Sequence, residues 1–131
     1  MKPVLTEAAM SLVGTAFRLH GRSPATGLDC VGLVAEAMRR TGYAPVVPEG
    51  YSLRSTDVAR WPDHAGMSNL VPVDHAGDVV LCKVNPLQLH LLVSVTGGFV
   101  HAHAGLGRVT YLPGTLPWPT VMQWRLSPKE T

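Results

Sequence analysis

The hydrophobic pattern changes along the chain, and this change constrains the fold more than any other feature of the sequence. Near the N-terminus, apolar residues recur at helical spacing, which predicts one helix from Pro3 to Val13 and a second from Asp29 or Cys30 to Arg40. The second half contains five short apolar runs that are separated by turn residues. These runs predict the strands Val79–Val84, Leu87–Val95, Phe99–Ala104, Arg108–Leu112 and Val121–Leu126. Helices followed by an antiparallel meander favour an α+β domain over alternating βαβ units.

Length and composition limit the kinds of protein that this chain can be. With 131 residues, of which 46% are hydrophobic, the sequence predicts one domain, spanning residues 1–131, with a substantial core. The net charge is only +2 and no basic run concentrates it, so nucleic acid is not an expected partner. Charged residues make up only 15% of the chain, and this low share favours partial cover of the surface by a partner protein.

The sequence predicts neither a signal peptide nor a membrane-spanning segment. The N-terminus reaches Glu7 without an apolar core of signal-peptide length. The longest strongly apolar run, Val79–Cys82, is far too short to cross a bilayer. We therefore expect synthesis in the cytoplasm without a signal peptide.

Cys30 lies at the start of the second predicted helix, directly after Asp29, which is a good N-cap residue. The first turn of a helix carries unpaired N–H groups and a partial positive charge, and both stabilise a thiolate. Because the thiolate is the nucleophilic form of cysteine, this position favours a catalytic role for Cys30. The alternative is a small buried hydrophobic residue, which by position alone is the more common role of a free cysteine.

Three histidines fall in two neighbouring predicted strands, at positions 90, 101 and 103. Thr96-Gly97-Gly98 between these strands is a strong hairpin signal. With a two-residue turn, an even position on the first strand shares a sheet face with odd positions on the second. The sequence therefore predicts that His90, His101 and His103 converge on one face of a hairpin.

Two chemistries can use these histidines. In the first, His90 takes the thiol proton of Cys30 and His101 orients His90, as in a protease triad. In the second, His90, His101 and His103 bind zinc and leave a fourth position open. Zinc binding would give Cys30 no role at the helix start, so we prefer the triad and expect no metal or other cofactor. A disulfide to Cys82 would disable the nucleophile, and we therefore expect both cysteines to be free.

Five segments follow one another in a defined order: Gly14–Arg18, Gly27–Val34, Gly77–Val80, His90 and Phe99–Ala102. Together they resemble the successive motifs of the NlpC/p-sixty cysteine peptidases, papain-like enzymes that cleave stem peptides of bacterial peptidoglycan. The resemblance covers most of the chain apart from its middle stretch, and its specificity lies in the order and spacing of the motifs. The longer loop Arg18–Pro24 looks most like the branch found in tail modules of phages and gene transfer agents.

The resemblance implies a papain-like fold in which N-terminal helices, with the nucleophile at a helix N-terminus, pack on an antiparallel sheet of about five strands. It also implies a cysteine endopeptidase that hydrolyses peptide bonds in peptidoglycan stem peptides. The family's nucleophile falls on Cys30, its base on His90 and its orienting residue on His101.

The resemblance also implies substrate-binding positions. Asp29 matches a position that helps to bind the free amine of the substrate peptide. Phe17 and Val31 stand where many relatives have a tyrosine and a serine, so the expected substrate pocket lacks two hydroxyl groups.

The implied partners are a peptidoglycan peptide as substrate and phage-like tail proteins. A tail particle would carry the protein to the cell wall without a signal peptide. One alternative is a tail assembly component with little or no hydrolase activity. The zinc hydrolase that uses His90, His101 and His103 is a second alternative.

Overall fold

The computed structural model describes residues 4–45 and 69–128. It contains two helices, α1 (Leu5–Ser11) and α2 (Cys30–Arg40). The strands are β1 (Arg22–Ser23), β2 (Gly27–Leu28), β3 (Leu70–Pro72), β4 (Val79–Asn85), β5 (Gln88–Val95), β6 (Gly98–His103), β7 (Arg108–Pro113) and β8 (Thr120–Leu126). The prediction of an α+β domain with helices packed on an antiparallel sheet is confirmed.

The two helices differ in how well their sequence signals define them. α2 begins at Cys30 and ends at Arg40, as predicted, because Asp29 caps its first turn and Gly42 follows with a φ of 96°. α1 is shorter than predicted: it begins at Leu5, has no side-chain cap, and gives way to a turn that ends at Gly14. Pro3, the predicted start, lies outside the described residues.

The main sheet has six strands rather than five, in the order β3-β8-β4-β5-β6-β7, and all described pairs are antiparallel. The additional strand, β3, has only three residues and contains Pro72, which explains why periodicity does not reveal it. Only β4 to β7 form the predicted meander. β8 returns across the sheet to pair with β4, so the prediction of a continuous meander is wrong at this strand.

The helices cover one face of the sheet. Both α1 and α2 contact β5, and α2 also contacts β6. The core of this contact is apolar; its largest buried side chains include Leu12, Leu33, Met38, Leu81, Leu89, Val93 and Trp124. This packing fixes the first turn of α2 against β5 and β6, where the predicted histidines lie. No helix in the described ranges is long and apolar enough to cross a membrane.

The loop before α2 packs against the first turn of the helix at two glycines. A Cβ atom on Gly32 would overlap the carbonyl oxygen of Gly21, and one on Gly21 would overlap the carbonyl oxygen of Gly27. Backbone therefore lies directly on backbone, which is possible only without side chains. This contact holds the loop against the end of the helix that carries Cys30.

We expect Gly32→Ala to destabilise the protein although alanine is the better helix former. The added methyl group must displace the backbone of Gly21, which we expect to lower the free energy of unfolding by about 1–3 kcal/mol. Urea denaturation followed by circular dichroism measures the loss. Glu36→Ala, a change on the same helix away from the loop, is the control, and equal stability of the two variants would contradict the close contact.

Candidate active site

Asp29 joins the loop before α2 to the start of that helix. Its carboxylate accepts hydrogen bonds from the backbone N–H groups of Gly32 and His20, both at 2.8 Å, and from the Arg22 guanidinium at 3.1 Å. The residue is fully buried, whereas the Arg22 side chain is 29% exposed. A buried carboxylate needs such donors, and together they hold the chain that leads into Cys30.

Cys30 is the first residue of α2, and its thiol is buried and free, as is that of Cys82. Burial raises the pKa of Cys30 to about 12. Hydrogen bonds with backbone groups, above all that of Leu91, act in the opposite direction, while the nearby Asp29 carboxylate raises the pKa further. Desolvation of the buried sulfur therefore outweighs the stabilisation of a thiolate by backbone groups at the helix start. At neutral pH the sulfur carries its proton, and it needs a base when it attacks.

The hairpin register brings the predicted histidines together. β5 and β6 pair as Ser94 with Phe99 and Val95 with Gly98, which leaves a two-residue turn in which Gly97 has a φ of 78°. As predicted, His90 and His101 share a face: His90 Nε2 lies 2.9 Å from His101 Nδ1. The ring of His103 lies against that of His101, with centroids 5.5 Å apart.

The pairing between β5 and β6 stops short of the histidines. The ladder ends at Val93 and Val100, while β6 continues to pair with β7 as far as His103. Leu91 lies beyond this end of the ladder, and its backbone hydrogen-bonds the Cys30 thiol. Because β5 and β6 are not paired beyond this point, the sulfur of Cys30, which comes from the face covered by the helices, can share a cavity with His90 and His101 on the opposite face.

Cys30, His90 and His101 line one cavity of about 250 Å³. The rest of its wall is mostly apolar: Phe17, Leu19, Asp29, Val84, Gln88, Ala102, His103, Ala104, Gly105 and Trp118. Within the described part of the chain, no hydrogen bond joins the Cys30 thiol to His90; the sulfur bonds backbone groups, and His90 Nε2 bonds His101. The cavity brings the three predicted catalytic residues together.

The three predicted substrate-binding residues occupy different environments. Phe17 is half-buried on the cavity wall. Asp29 lies at the wall, but its carboxylate already accepts hydrogen bonds from the protein. Val31 is 5% exposed and belongs to the hydrophobic core, and it is not among the residues that line the cavity. A contact of these residues with substrate stays a prediction.

Trp118 is part of the site, and its sequence position alone does not reveal this. Its ring lies edge-on to His90 and tilted against His101, with centroids 6.2 Å away in both cases. Trp118 lies just before β8, which returns across the sheet to pair with β4. The next residue, Pro119, accepts a hydrogen bond from the backbone N–H of Lys83 in β4, and this contact holds Trp118 beside the histidines. A tryptophan between two prolines is a stiff segment, but which residues it covers depends on that crossover.

The surroundings keep His90 and His101 neutral. Burial lowers the pKa of His90 to about 4, with a further decrease from charge on His101 and His103. The pKa of His101 is also lowered, first by burial and then by His103. A neutral imidazole has a free lone pair at neutral pH, so His90 can act as a base.

The lowered pKa of His90 predicts that stability falls as the pH decreases from about 6.5 to about 4. In this window unfolded His90 binds a proton more readily than folded His90, so acid favours the unfolded state. Urea denaturation at several pH values measures the slope. His90→Phe should reduce that slope, while His75→Gln on an exposed turn should retain it; an unchanged slope in His90→Phe would contradict the prediction.

The same geometry bears on the zinc alternative. Nδ1 of His103 accepts a hydrogen bond from the Leu106 N–H at 3.0 Å, and facing nitrogens of His90 and His101 bond each other. Across residues 4–45 and 69–128, no group of three or more histidine, cysteine or acidic side chains is arranged to hold a metal ion. These contacts occupy one nitrogen of each imidazole, and the arrangement favours the triad over a zinc site.

No protein-family model and no curated protein matches this sequence. Solved structures with the same fold include a lipoprotein-like protein of the NLP/P60 family from Staphylococcus aureus, with a TM-score of 0.62 and 17% identity over 96% of this chain and 41% of that one. They also include the NlpC/p60 domain of the peptidoglycan hydrolase SagA, with a TM-score of 0.55 and 18% identity over 84% of this chain and 86% of that one. This chain thus spans about two fifths of the staphylococcal protein. At such identities the likeness establishes the fold.

Proposed function

We propose that this protein is a cysteine peptidase of the NlpC/p60 type that hydrolyses peptide bonds in the stem peptides of bacterial peptidoglycan. The observation that carries the proposal is the shared cavity of Cys30, His90 and His101, with the cysteine at a helix start and the two imidazoles bonded to each other. Support for the substrate comes from the fold, which is that of a domain of a peptidoglycan hydrolase.

In the proposed mechanism each nitrogen of His90 has its own role. His90 Nε2 bonds His101, so Nδ1 is the atom that takes the thiol proton of Cys30. In that tautomer His90 Nε2–H donates to His101 Nδ1, and this bond stabilises the imidazolium that forms. His101 therefore orients the base and supports its positive charge.

Hydrolysis then proceeds in two steps, acylation of Cys30 and hydrolysis of the resulting thioester. The Cys30 sulfur attacks the peptide carbonyl carbon as its proton passes to His90, and the backbone N–H of Cys30, in the first turn of α2, stabilises the oxyanion. The C–N bond breaks, the amine leaves with the proton from His90, and a thioester remains. Water attacks the thioester while giving a proton to His90, the C–S bond breaks, and the returned proton restores the thiol.

Digestion of purified sacculi tests the proposal. We expect the wild-type protein to release new amino groups and peptide fragments whose masses identify the bond that is cut. Intact sacculi after prolonged incubation would contradict the proposal and favour a tail component without hydrolase activity. One equivalent of bound zinc, with loss of activity in a chelator, would instead favour the zinc hydrolase.

We further propose that the peptidase acts within a phage-like or gene-transfer-agent tail that carries it to the cell wall. Support comes from the loop Arg18–Pro24, which resembles that branch of the family in sequence and is tied to α2 through Asp29. Particles that carry Cys30→Ala should assemble normally and fail to penetrate cells. Failure of assembly would show that the protein acts in the tail by binding rather than by catalysis.

A further inference from the structure

His103 is held in one orientation by the turn that follows β6. The backbone N–H of Leu106 donates to its Nδ1 at 3.0 Å. Gly105 lies so close to the ring that a Cβ at that position would be 3.0 Å from Cε1 of His103. The ring of His101 packs against the ring of His103 at an interplanar angle of 63°.

These contacts also fix the tautomer of His103. A backbone N–H can only donate, so Nδ1 must present a lone pair, and the proton of the neutral ring is then on Nε2. His103 therefore offers one N–H donor, Nε2–H. The proposed hydrolysis uses His90 and His101, and the Nε2–H group of His103 has no role in it.

His103 lines the cavity, and its Nδ1 is already bonded to Leu106. Among the described residues that line the cavity, Asp29 is the one with a formal charge, and its carboxylate accepts hydrogen bonds from Gly32, His20 and Arg22. No lysine or arginine lines the cavity within the described ranges. An anionic group entering here would lose water, would meet no cationic side chain among the described lining residues, and would lie near the carboxylate of Asp29.

We propose that His103 Nε2–H donates a hydrogen bond to an uncharged carbonyl oxygen of the bound peptide, and that the site prefers amidated stem peptides to those with a free carboxylate near the cleaved bond because the Asp29 carboxylate lies at the same wall. This inference rests on the proposed function and names the substrate class of the same site. His103 is thus a substrate-binding residue that acts beside the catalytic pair.

The test compares two synthetic stem peptides that differ only in whether the side-chain carboxyl next to the cleaved bond is free or amidated. All assays run at the same neutral pH. We expect the wild-type protein to cleave the amidated peptide with the lower KM. His103→Phe keeps an aromatic ring against His101 but removes the donor, and it should raise KM for the amidated peptide about tenfold with little change in kcat.

Two controls separate substrate binding from a structural role. His103→Gln restores an N–H donor and should recover most of the affinity, while His75→Gln on an exposed turn should behave as the wild type. Equal KM values of wild type and His103→Phe, or a preference for the free carboxylate, would overturn the inference and leave the proposed function intact. Cleavage of neither peptide by the wild type, together with intact sacculi, would overturn both.

Discussion

Replacing Cys30 with alanine is expected to abolish peptidoglycan hydrolysis, with kcat lower by at least about 10⁴-fold. The mechanism forms its only covalent bond to substrate through this sulfur, and His90 has no thiol to deprotonate once the sulfur is gone. Alanine fits the buried site at the start of α2 without a new polar group. Release of amino groups from sacculi measures the loss, and circular dichroism checks that the fold persists.

Cys82→Ala is the matched control for this prediction. Cys82 is the other free thiol, fully buried in β4 and directly opposite His90 in the β4–β5 register. A loss of activity caused only by disturbed packing near His90 would therefore appear in Cys82→Ala as well. We expect that variant to stay active, and activity that survives in Cys30→Ala would rule out the cysteine mechanism.

The second large effect is expected on stability. Asp29→Ala should lower the free energy of unfolding by about 3–5 kcal/mol, because it removes a buried acceptor of three hydrogen bonds, one of them from the Arg22 guanidinium. Typical domains are stable by only about 5–15 kcal/mol, so this variant should be close to unfolding. Urea denaturation followed by circular dichroism measures the change.

Two comparisons identify the origin of that loss. Asp29→Asn retains an oxygen acceptor for the cap of α2 and should be destabilised less than Asp29→Ala. Asp74→Ala, at an exposed turn, should change stability by no more than about 0.5 kcal/mol. If Asp29→Ala matched Asp74→Ala, the carboxylate would not hold the loop and the helix start together.

The parts of the site that the sequence predicts correctly rest on local geometry. A two-residue turn at Thr96-Gly97 fixes which side chains of β5 and β6 share a face, so the contact of His90 with His101 follows from counting along the chain. Asp29 likewise caps α2 through a residue three positions away, which places Cys30 at the helix start.

Other features depend on contacts between distant parts of the chain. Trp118 covers the histidine pair because β8 pairs with β4, a choice among strand orders that periodicity leaves open. The protonation of Cys30 also could not be inferred from its helix position, because desolvation in the folded protein outweighs the backbone groups that favour a thiolate.

The sequence by itself therefore determined the two helices, the hairpin and the face on which the histidines lie, since hydrogen-bond periodicity and turn chemistry act over a few residues. The tertiary structure decided the place of β8, the end of the β5–β6 pairing near the contact of Cys30 with Leu91, and the neutral state of the Cys30 thiol and of the His90 and His101 imidazoles. Strand order and burial are properties of the whole packed chain, and no local segment specifies them.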